Sequence, residues 1–201
     1  MKKLLVILMS YSCAYAQTYN NEIYIDQVYG SNNNVSIIQD GYGNKIELPL
    51  DGNGNTIQIN QSGSNYLKAD VPGWGNYIVT NQSNTAGTHS ANTRSQGNGN
   101  SVSITQDGNS SQILFSSITG DINTLNASQS GTAQHYLNNK MTGNFNNVKV
   151  DQNGSLSNSA SIDVTNSGGP AMVDLQQSGG KSINILQNCL NPAGCSTVIR
   201  Q

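Results

Sequence analysis

The sequence predicts an all-β fold, a two-sheet β-solenoid of about eight strand-turn-strand-turn rungs with roughly 23 residues in each. Three observations predict it. An Asn-x5-Gln spacing recurs at a nearly fixed period along the chain. Apolar and polar residues alternate between each Asn and its Gln, and glycine-rich segments follow the alternating stretches. Alternation indicates half-buried strands, and glycine clusters indicate the turns between them.

The composition argues against the common alternatives. Of 201 residues, 35% are hydrophobic and 10% are charged, with a formal net charge of −2. A globular domain usually has about a quarter charged residues and close to half apolar ones. A large apolar core and charge-driven disorder are therefore both disfavoured. Because 9 Lys and Arg face 11 Asp and Glu, the charge balance also excludes a basic nucleic-acid binder.

The N-terminus resembles a secretory leader. A basic start precedes a short apolar run over residues 4–9, and Ala14 and Ala16 occupy the two positions that a signal peptidase recognises. We expect cleavage before Gln17, so that residues 1–16 are a signal peptide. The apolar run is too short to cross a bilayer as a helix.

The rest of the chain, residues 17–201, is expected to form a single repeat domain that is secreted from the cell. Cys13 would suggest a lipoprotein, but residues 10–12 before it form a poor lipobox. No later stretch is apolar enough to predict a membrane span.

The repeat is defined by amide side chains and by the glycines that follow them. Asn-x5-Gln occurs at Asn21/Gln27, Asn33/Gln39, Asn55/Gln61, Asn76/Gln82, Asn100/Gln106, Asn123/Gln129 and Asn146/Gln152. Gln177 and Gln201 continue the series that starts at Gln39, in steps of 21 to 25 residues. Glycine follows two residues after six of the glutamines, at Gly41, Gly63, Gly108, Gly131, Gly154 and Gly179.

The residues between Asn and Gln predict a strand with one buried face. In the segment from Asn100 to Gln106, Val102 and Ile104 alternate with Ser101, Ser103 and Thr105. Side chains two apart point to the same face of a strand. The parity that carries Asn, two apolar residues and Gln is therefore expected to point inward.

A second strand without the glutamine is expected in each unit. We predict as inward the sets Asn44-Ile46-Leu48-Leu50, Asn65-Leu67-Ala69-Val71, Ser111-Ile113-Phe115-Ser117 and Ala160-Ile162-Val164-Asn166. The position that corresponds to the glutamine is expected to hold Leu50, Val71, Ser95, Ser117, Lys140 or Asn166, although the repeat is degenerate around residues 85–96. A continuous glutamine ladder is therefore predicted in one sheet only.

Stacking the rungs would place equivalent side chains over one another at about 4.8 Å. Apolar residues would then form a dry seam between the sheets, and stacked amides would donate and accept hydrogen bonds along the axis. Such bonding offsets the cost of burying polar groups. We therefore predict that the Asn and Gln residues of the repeat form an assembly ladder and that the glycines form its turns.

The ends of such a solenoid are predicted to be open. The repeat begins close to the expected mature N-terminus and continues to Gln201, with no helix, proline cluster or charged cap in the sequence at either end. Exposed edge strands can template another chain, whereas soluble repeat proteins carry atypical polar caps. A filament built by end-to-end stacking is the expected product.

The recurring Asn-x5-Gln, the Gln-x-Gly and the period near 23 residues resemble the curlins, the secreted subunits of bacterial curli fibres. The resemblance covers about residues 21–201. It implies a homopolymeric extracellular functional amyloid for adhesion and biofilm matrix, a curli-type outer-membrane secretion pore, and a companion major or minor subunit. Curlin units typically have an inward glutamine on both strands, so this chain departs from the pattern in its second strands.

No catalytic, metal or cofactor site is predicted. His89 and His135 lie in separate units without Cys, Asp or Glu at metal-ligand spacing, and we interpret them as surface or arch residues. No catalytic motif has local support, so the chain is not expected to be an enzyme. Two alternatives remain open: a non-amyloid β-solenoid adhesin or appendage protein, and a carbohydrate-active β-helix whose site is assembled across rungs.

Two cysteines flank the last predicted turn. Cys189 and Cys195 lie on either side of residues 191–194. In an exported protein, a disulfide that closes this turn is favoured over two free thiols or a metal site.

Overall fold

The computed structural model describes residues 6–8 and 20–201 of the chain. The signal peptide predicted for residues 1–16 lies mostly outside these residues. The regular secondary structure of these residues consists of β-strands only. They are β1 Val6–Leu8, β2 Glu22–Tyr29, β3 Asn34–Gly41, β4 Lys45–Asp51, β5 Thr56–Gly63, β6 Asn65–Pro72, β7 Tyr77–Asn84, β8 His89–Gln96, β9 Ser101–Gly108, β10 Ile113–Thr119, β11 Thr124–Gly131, β12 Tyr136–Thr142, β13 Asn147–Gly154, β14 Ser159–Asn166, β15 Ala171–Ser178, β16 Ser182–Cys189 and β17 Cys195–Arg200.

The strands form two parallel sheets. The odd-numbered strands make a nine-stranded sheet in the order β1-β3-β5-β7-β9-β11-β13-β15-β17, called here the glutamine sheet. The even-numbered strands make an eight-stranded sheet from β2 to β16, called here the second sheet. Successive strands of the chain alternate between the sheets, so the chain coils through about eight turns that are roughly 23 residues apart. The predicted all-β, two-sheet β-solenoid is confirmed.

Alternation of apolar residues produces the core. In β9, Val102 and Ile104 are fully buried, whereas Ser101, Ser103 and Thr105 face outward. The seam between the sheets is a single cluster that runs from Val35 to Cys189 along the axis. Each apolar residue stacks on its counterpart in the next rung, as Val102 does on Leu125. Burial of this seam is the main apolar contribution to stability.

The set of inward residues predicted for β10 and β12 is wrong, because the other parity of each strand is buried. In β10 the buried side chains include Leu114 and Ile118, whereas Phe115 is 41% exposed and Ser117 faces outward. β10 has apolar residues on both parities, and burying Leu114 and Ile118 leaves Phe115 beside Tyr136 on the outer face, with 6.1 Å between the ring centroids.

Lys140 is also exposed rather than inward. Its Nζ lies 3.2 Å from Asp163 Oδ2 on the outer face. An outward lysine avoids the cost of burying an ammonium group between the sheets. Met141, the next residue, takes the inward position and is fully buried.

The pairing of the strands places two further residues differently from the sequence prediction. Val164, not Asn166, pairs with Met141 at the position that corresponds to the glutamine, because the pairing of β12 with β14 sets it there. The first Asn-x5-Gln segment, Asn21/Gln27, belongs to the second sheet, where Gln27 pairs with Leu50.

Glycines stack over one another in the turns. All six predicted turn glycines have positive φ: Gly41, Gly63, Gly108, Gly131, Gly154 and Gly179. A second column, formed by Gly30, Gly52, Gly73, Gly97, Gly120 and Gly143, lines the turns after the second-sheet strands, also at positive φ. At Gly131, with φ 120°, a Cβ would overlap the carbonyl oxygen of Gly154 in the next rung. Glycine is therefore needed there both for the backbone conformation and for the close approach of the rungs.

We expect Gly131→Ala to lower the free energy of unfolding by about 3–4 kcal/mol, because it combines backbone strain with overlap between rungs. Gly54→Ala is the matched control, because Gly54 has φ 67° but nothing within 4 Å of its added Cβ. The control should lose about 1–2 kcal/mol from backbone strain alone. Denaturant unfolding followed by circular dichroism measures both, and equal losses would contradict the stacking of the turns.

Candidate functional site

A continuous ladder of glutamine amides runs along the glutamine sheet. Each Nε2 donates to the Oε1 of the next glutamine along Gln39, Gln61, Gln82, Gln106, Gln129, Gln152 and Gln177, at successive distances of 2.9, 2.8, 2.8, 2.9, 3.0 and 2.9 Å. Six of the seven Nε2 groups, all but that of Gln61, also donate across the seam to carbonyls of the second sheet, as Gln106 does to Ser90 at 3.1 Å. The buried amides are thus bonded both along the axis and between the sheets.

The ladder stops at the two ends of the solenoid. Gln39, at the first rung, is only half-buried. Gln201 continues the backbone pairing, because its N–H donates to the carbonyl of Gln176 at 2.9 Å. Its side chain is exposed and, within residues 20–201, makes no hydrogen bond to Gln177. Gln201 is therefore placed at the open end of the ladder rather than inside it.

The predicted asparagines form a second ladder at the starts of the same strands. They are Asn33, Asn55, Asn76, Asn100, Asn123 and Asn146, and each Oδ1 accepts the backbone N–H of the next, at 2.9–3.0 Å. Nδ2 of Asn55 donates to the carbonyl of Gly73 at 2.9 Å, and Nδ2 of Asn100 donates to that of Gly120 in the same way. Asn33 and Asn76 make the same kind of bond to Gly52 and Gly97, so four of these side chains tie their strands to the glycine turn of a neighbouring rung.

A third polar ladder was not found from the sequence. It occupies the residue immediately before or at the start of the second-sheet strands β2 to β14 and contains Asn21, Asn44, Asn65, His89, Gln112, His135 and Asn158. Asn, His and Gln are chemically different, but each can offer one acceptor to the next backbone N–H and one donor to a turn carbonyl. Asn65 is the exception on the acceptor side, because its Oδ1 accepts from Nδ2 of Asn84 at 2.7 Å. The signal that could have found it is the period of the positions, 21 to 24 residues, rather than the identity of the residues.

The two histidines are buried members of this ladder, so the predicted surface position is wrong: His89 is the first residue of β8, and His135 directly precedes β12 at the end of an arch. Nδ1 of His89 accepts the N–H of Gln112 at 3.2 Å, which leaves Nε2 to donate to the carbonyl of Ser83 at 2.9 Å. Nδ1 of His135 likewise accepts the N–H of Asn158 at 3.1 Å. This arrangement requires neutral imidazoles, and burial lowers the pKa of both rings below the ordinary value.

Cys189 and Cys195 are joined by a disulfide that closes the last turn. Cys195 pairs with Ala171 as the first residue of β17. The crosslink therefore ties the last strand of the second sheet to the last strand of the glutamine sheet.

Ion pairs lie on the outer face of the second sheet. Lys45 Nζ is 3.1 Å from Glu47, Lys68 Nζ is 3.8 Å from Glu47, and Arg94 Nε is 3.4 Å from Asp70. The hydrogen bond and charge of Glu47 raise the pKa of Lys45 above its ordinary value. Exposed pairs of this kind contribute about 0–1 kcal/mol each, so their main effect is to keep this face charged.

The end strands carry partly buried apolar residues. Ile23 and Ile25 on β2, Ile183 on β16 and Ile199 on β17 pack against the core but are not covered on their axial side by another rung. In residues 6–8 and 20–201, the edge strands are β2 and β16 in the second sheet and β1 and β17 in the glutamine sheet. Such edges present unpaired N–H and C=O groups.

The described part of the chain contains no group of three or more His, Cys, Asp or Glu side chains able to hold a metal ion. It also contains no helix long and apolar enough to cross a membrane. Comparison with protein-family models, with curated proteins and with solved structures found no match to this chain.

We expect Gln129→Leu to lower the free energy of unfolding by about 1–3 kcal/mol, because it removes the ladder bonds to Gln106 and Gln152 inside a dry seam. Gln58→Leu is the matched control, because Gln58 faces outward on β5 and is exposed. The control should change stability by less than about 0.5 kcal/mol. Denaturant unfolding compares the two, and equal effects would mean that the ladder does not stabilise the fold.

Stability should fall as pH decreases below the ordinary imidazole pKa of 6.5. The pKa of each buried ring is lowered in the folded state, so the unfolded chain binds more protons below that value. The histidine contribution is therefore complete above pH 6.5 and is lost as pH falls toward the lowered pKa. Thermal unfolding at neutral and at mildly acidic pH measures the loss.

The matched control is the double variant His89→Gln with His135→Gln. Gln112 already occupies the intervening rung, where its Oε1 accepts the N–H of His135 at 2.9 Å and its Nε2 donates to Ala133 at 3.0 Å. Glutamine therefore keeps both hydrogen bonds and removes the titration. The double variant should lose less stability on acidification than the unaltered chain, and an identical loss would contradict a role for the two rings.

Proposed function

We propose that this chain is a secreted structural subunit that self-assembles end to end into an extracellular, curli-like functional-amyloid fibre for adhesion and biofilm matrix. The observation that carries the proposal is the open pair of ends. β2 lies at one end, β16 and β17 lie at the other, and partly buried isoleucines line both. Joining two such ends would bury these residues and pair the free backbone groups.

Stacking one copy on another would repeat a contact that the chain already makes between its own rungs. Inside the chain, parallel strands pair with like side chains in register, as Gln106 does with Gln129 and Gly108 with Gly131. A docked copy would extend the same backbone ladders and the same apolar seam. The edge strand orders the incoming chain, and burial of the inward residues sets the register, since a slip of one residue would expose them.

The geometry favours a filament rather than a closed oligomer. All neighbouring strands are parallel, so the two ends of the solenoid are different surfaces. Contact between different surfaces is head to tail, and it gives open fibres when the rotation does not close a ring. The charged outer face, which includes Glu47, Lys68 and Asp70, would limit side-by-side association of the sheets.

The proposal includes the secretion route and partners that the curlin resemblance implies. These are export after removal of residues 1–16, passage through a curli-type outer-membrane pore, and a companion major or minor subunit. Catalysis has no part in the proposed mechanism, which is templating of one chain by the exposed strands of another.

The direct test is incubation of the purified exported chain with thioflavin fluorescence and electron microscopy. We expect unbranched fibres to grow after a lag phase. Added seeds should remove the lag, because fibre ends template the chain. A chain that stays monomeric under conditions where it is folded would contradict the proposal.

The triple variant Gln106→Leu, Gln129→Leu and Gln152→Leu should assemble more slowly or out of register. Unchanged assembly kinetics would count against the glutamine ladder as the feature that sets the register.

A further inference from the structure

One buried amide of the second sheet has no partner. Gln187, on the terminal strand β16, is only 8% exposed, yet neither its Nε2 nor its Oε1 has a hydrogen bond among the described residues. The fully buried glutamines of the ladder, in contrast, are bonded at both atoms, as Gln129 is. A buried amide without partners is unfavourable, so its position calls for a group that supplies them.

The register column that contains Gln187 has glutamine only at its two ends. From one end of the second sheet to the other, the column holds Gln27, Leu50, Val71, Ser95, Ile118, Met141, Val164 and Gln187. The interior members are apolar apart from Ser95, so they could not bond to an amide above or below. Gln27 lies on β2, at the opposite end of the solenoid from Gln187.

We propose that Gln187 of one copy and Gln27 of the next form an amide pair that sets the register at the joint between subunits. This inference rests on the proposed end-to-end assembly and deepens it by naming the joint. When β2 of the next copy lies on β16 in the register used within the chain, Gln27 lies over Gln187. The two residues would then occupy paired positions on adjacent parallel strands, as Gln106 and Gln129 do in the glutamine sheet.

The apolar residues of the two end strands fit the same register. Ile183 and Ile185 of β16 occupy the columns that begin with Ile23 and Ile25 of β2. All four would therefore meet like for like across the joint, isoleucine on isoleucine. A shift by one residue would pair Gln187 with a residue of β2 whose side chain points outward. The isoleucines of the two strands would then no longer cover each other. The occupant of this end is thus a second copy of the chain.

The glutamine sheet supports the same joint, because the edge of β3 already accepts a parallel strand. β1 pairs with it, with Val6 against Val35 and Leu8 against Ile37. On the joined copy, β17 would take this place, with Thr197 over Val35 and Ile199 over Ile37, as the columns through β15 require. β1 lies within the segment that is predicted to be removed on export, which would leave the edge free for β17.

The test compares Gln187→Leu, Gln27→Leu and the double variant in seeded elongation and in the concentration of free chain that remains at equilibrium. Each single change leaves one amide buried without a partner at the joint, so we expect the residual free concentration to rise about tenfold. The double variant places leucine over leucine, as in the apolar interior of the column, and should recover most of the loss. This non-additivity is the signature of direct contact.

Asn184→Leu is the matched control, because Asn184 lies on the same strand but is exposed on the outer face. It should elongate like the unaltered chain. Thermal unfolding of the soluble chain provides a second readout: Gln187→Leu should not lower stability, since it removes an unpaired buried amide. If Gln187→Leu slows elongation but leaves thermal stability unchanged, the change affects assembly and not folding.

Two results would overturn the inference. If fibres form but both single variants elongate like Asn184→Leu, or if the double variant is as impaired as the two single losses added together, Gln27 and Gln187 do not pair, and the proposed function stands. If the unaltered chain forms no fibres at all, the proposed function and the joint both fail.

Discussion

The structure depends on the stacking of equivalent side chains along one axis. Amides that would be costly to bury singly are satisfied because each has a copy one rung above and one rung below, as Gln106 has in Gln82 and Gln129. This constraint explains how a chain with 35% hydrophobic residues supports a continuous buried seam. It also explains why glycines recur in the turns, since only they allow the rungs to approach closely at those points.

The same constraint links folding to the proposed assembly. Within the described chain, each interior rung pairs with the rung on either side of it, whereas β2, β16 and β17 pair on one side only. The ends therefore carry partial forms of the internal contacts: Gln39 is half-buried, Gln201 is exposed, and Gln187 is enclosed without a partner. These three amides mark the places where the internal pattern is interrupted, and a second copy in register would continue it.

The fold and the glutamine sheet could be predicted from the sequence, because the recurring Asn-x5-Gln spacing fixes which parity of each strand points inward. From β3 to β13 each strand of that sheet follows an Asn and carries the ladder Gln, and in β9 the apolar residues Val102 and Ile104 lie on one parity only. The second sheet was harder. In β10 apolar residues occupy both parities, and the choice depends on packing against the neighbouring rungs, which alternation alone does not contain. The ladder with His89 and His135 was missed because different residue types perform the same hydrogen bonding there.

The central claim is that whole copies stack in register, rung upon rung, along the solenoid axis. Cryo-electron microscopy of fibres of the exported chain tests it most directly. Eight rungs at about 4.8 Å predict a rise of about 38 Å per copy, with all strands perpendicular to the fibre axis and β2 of one copy paired in parallel with β16 of the next. Fibres whose strands run along the axis, or copies joined through the outer faces of the sheets, would contradict the account.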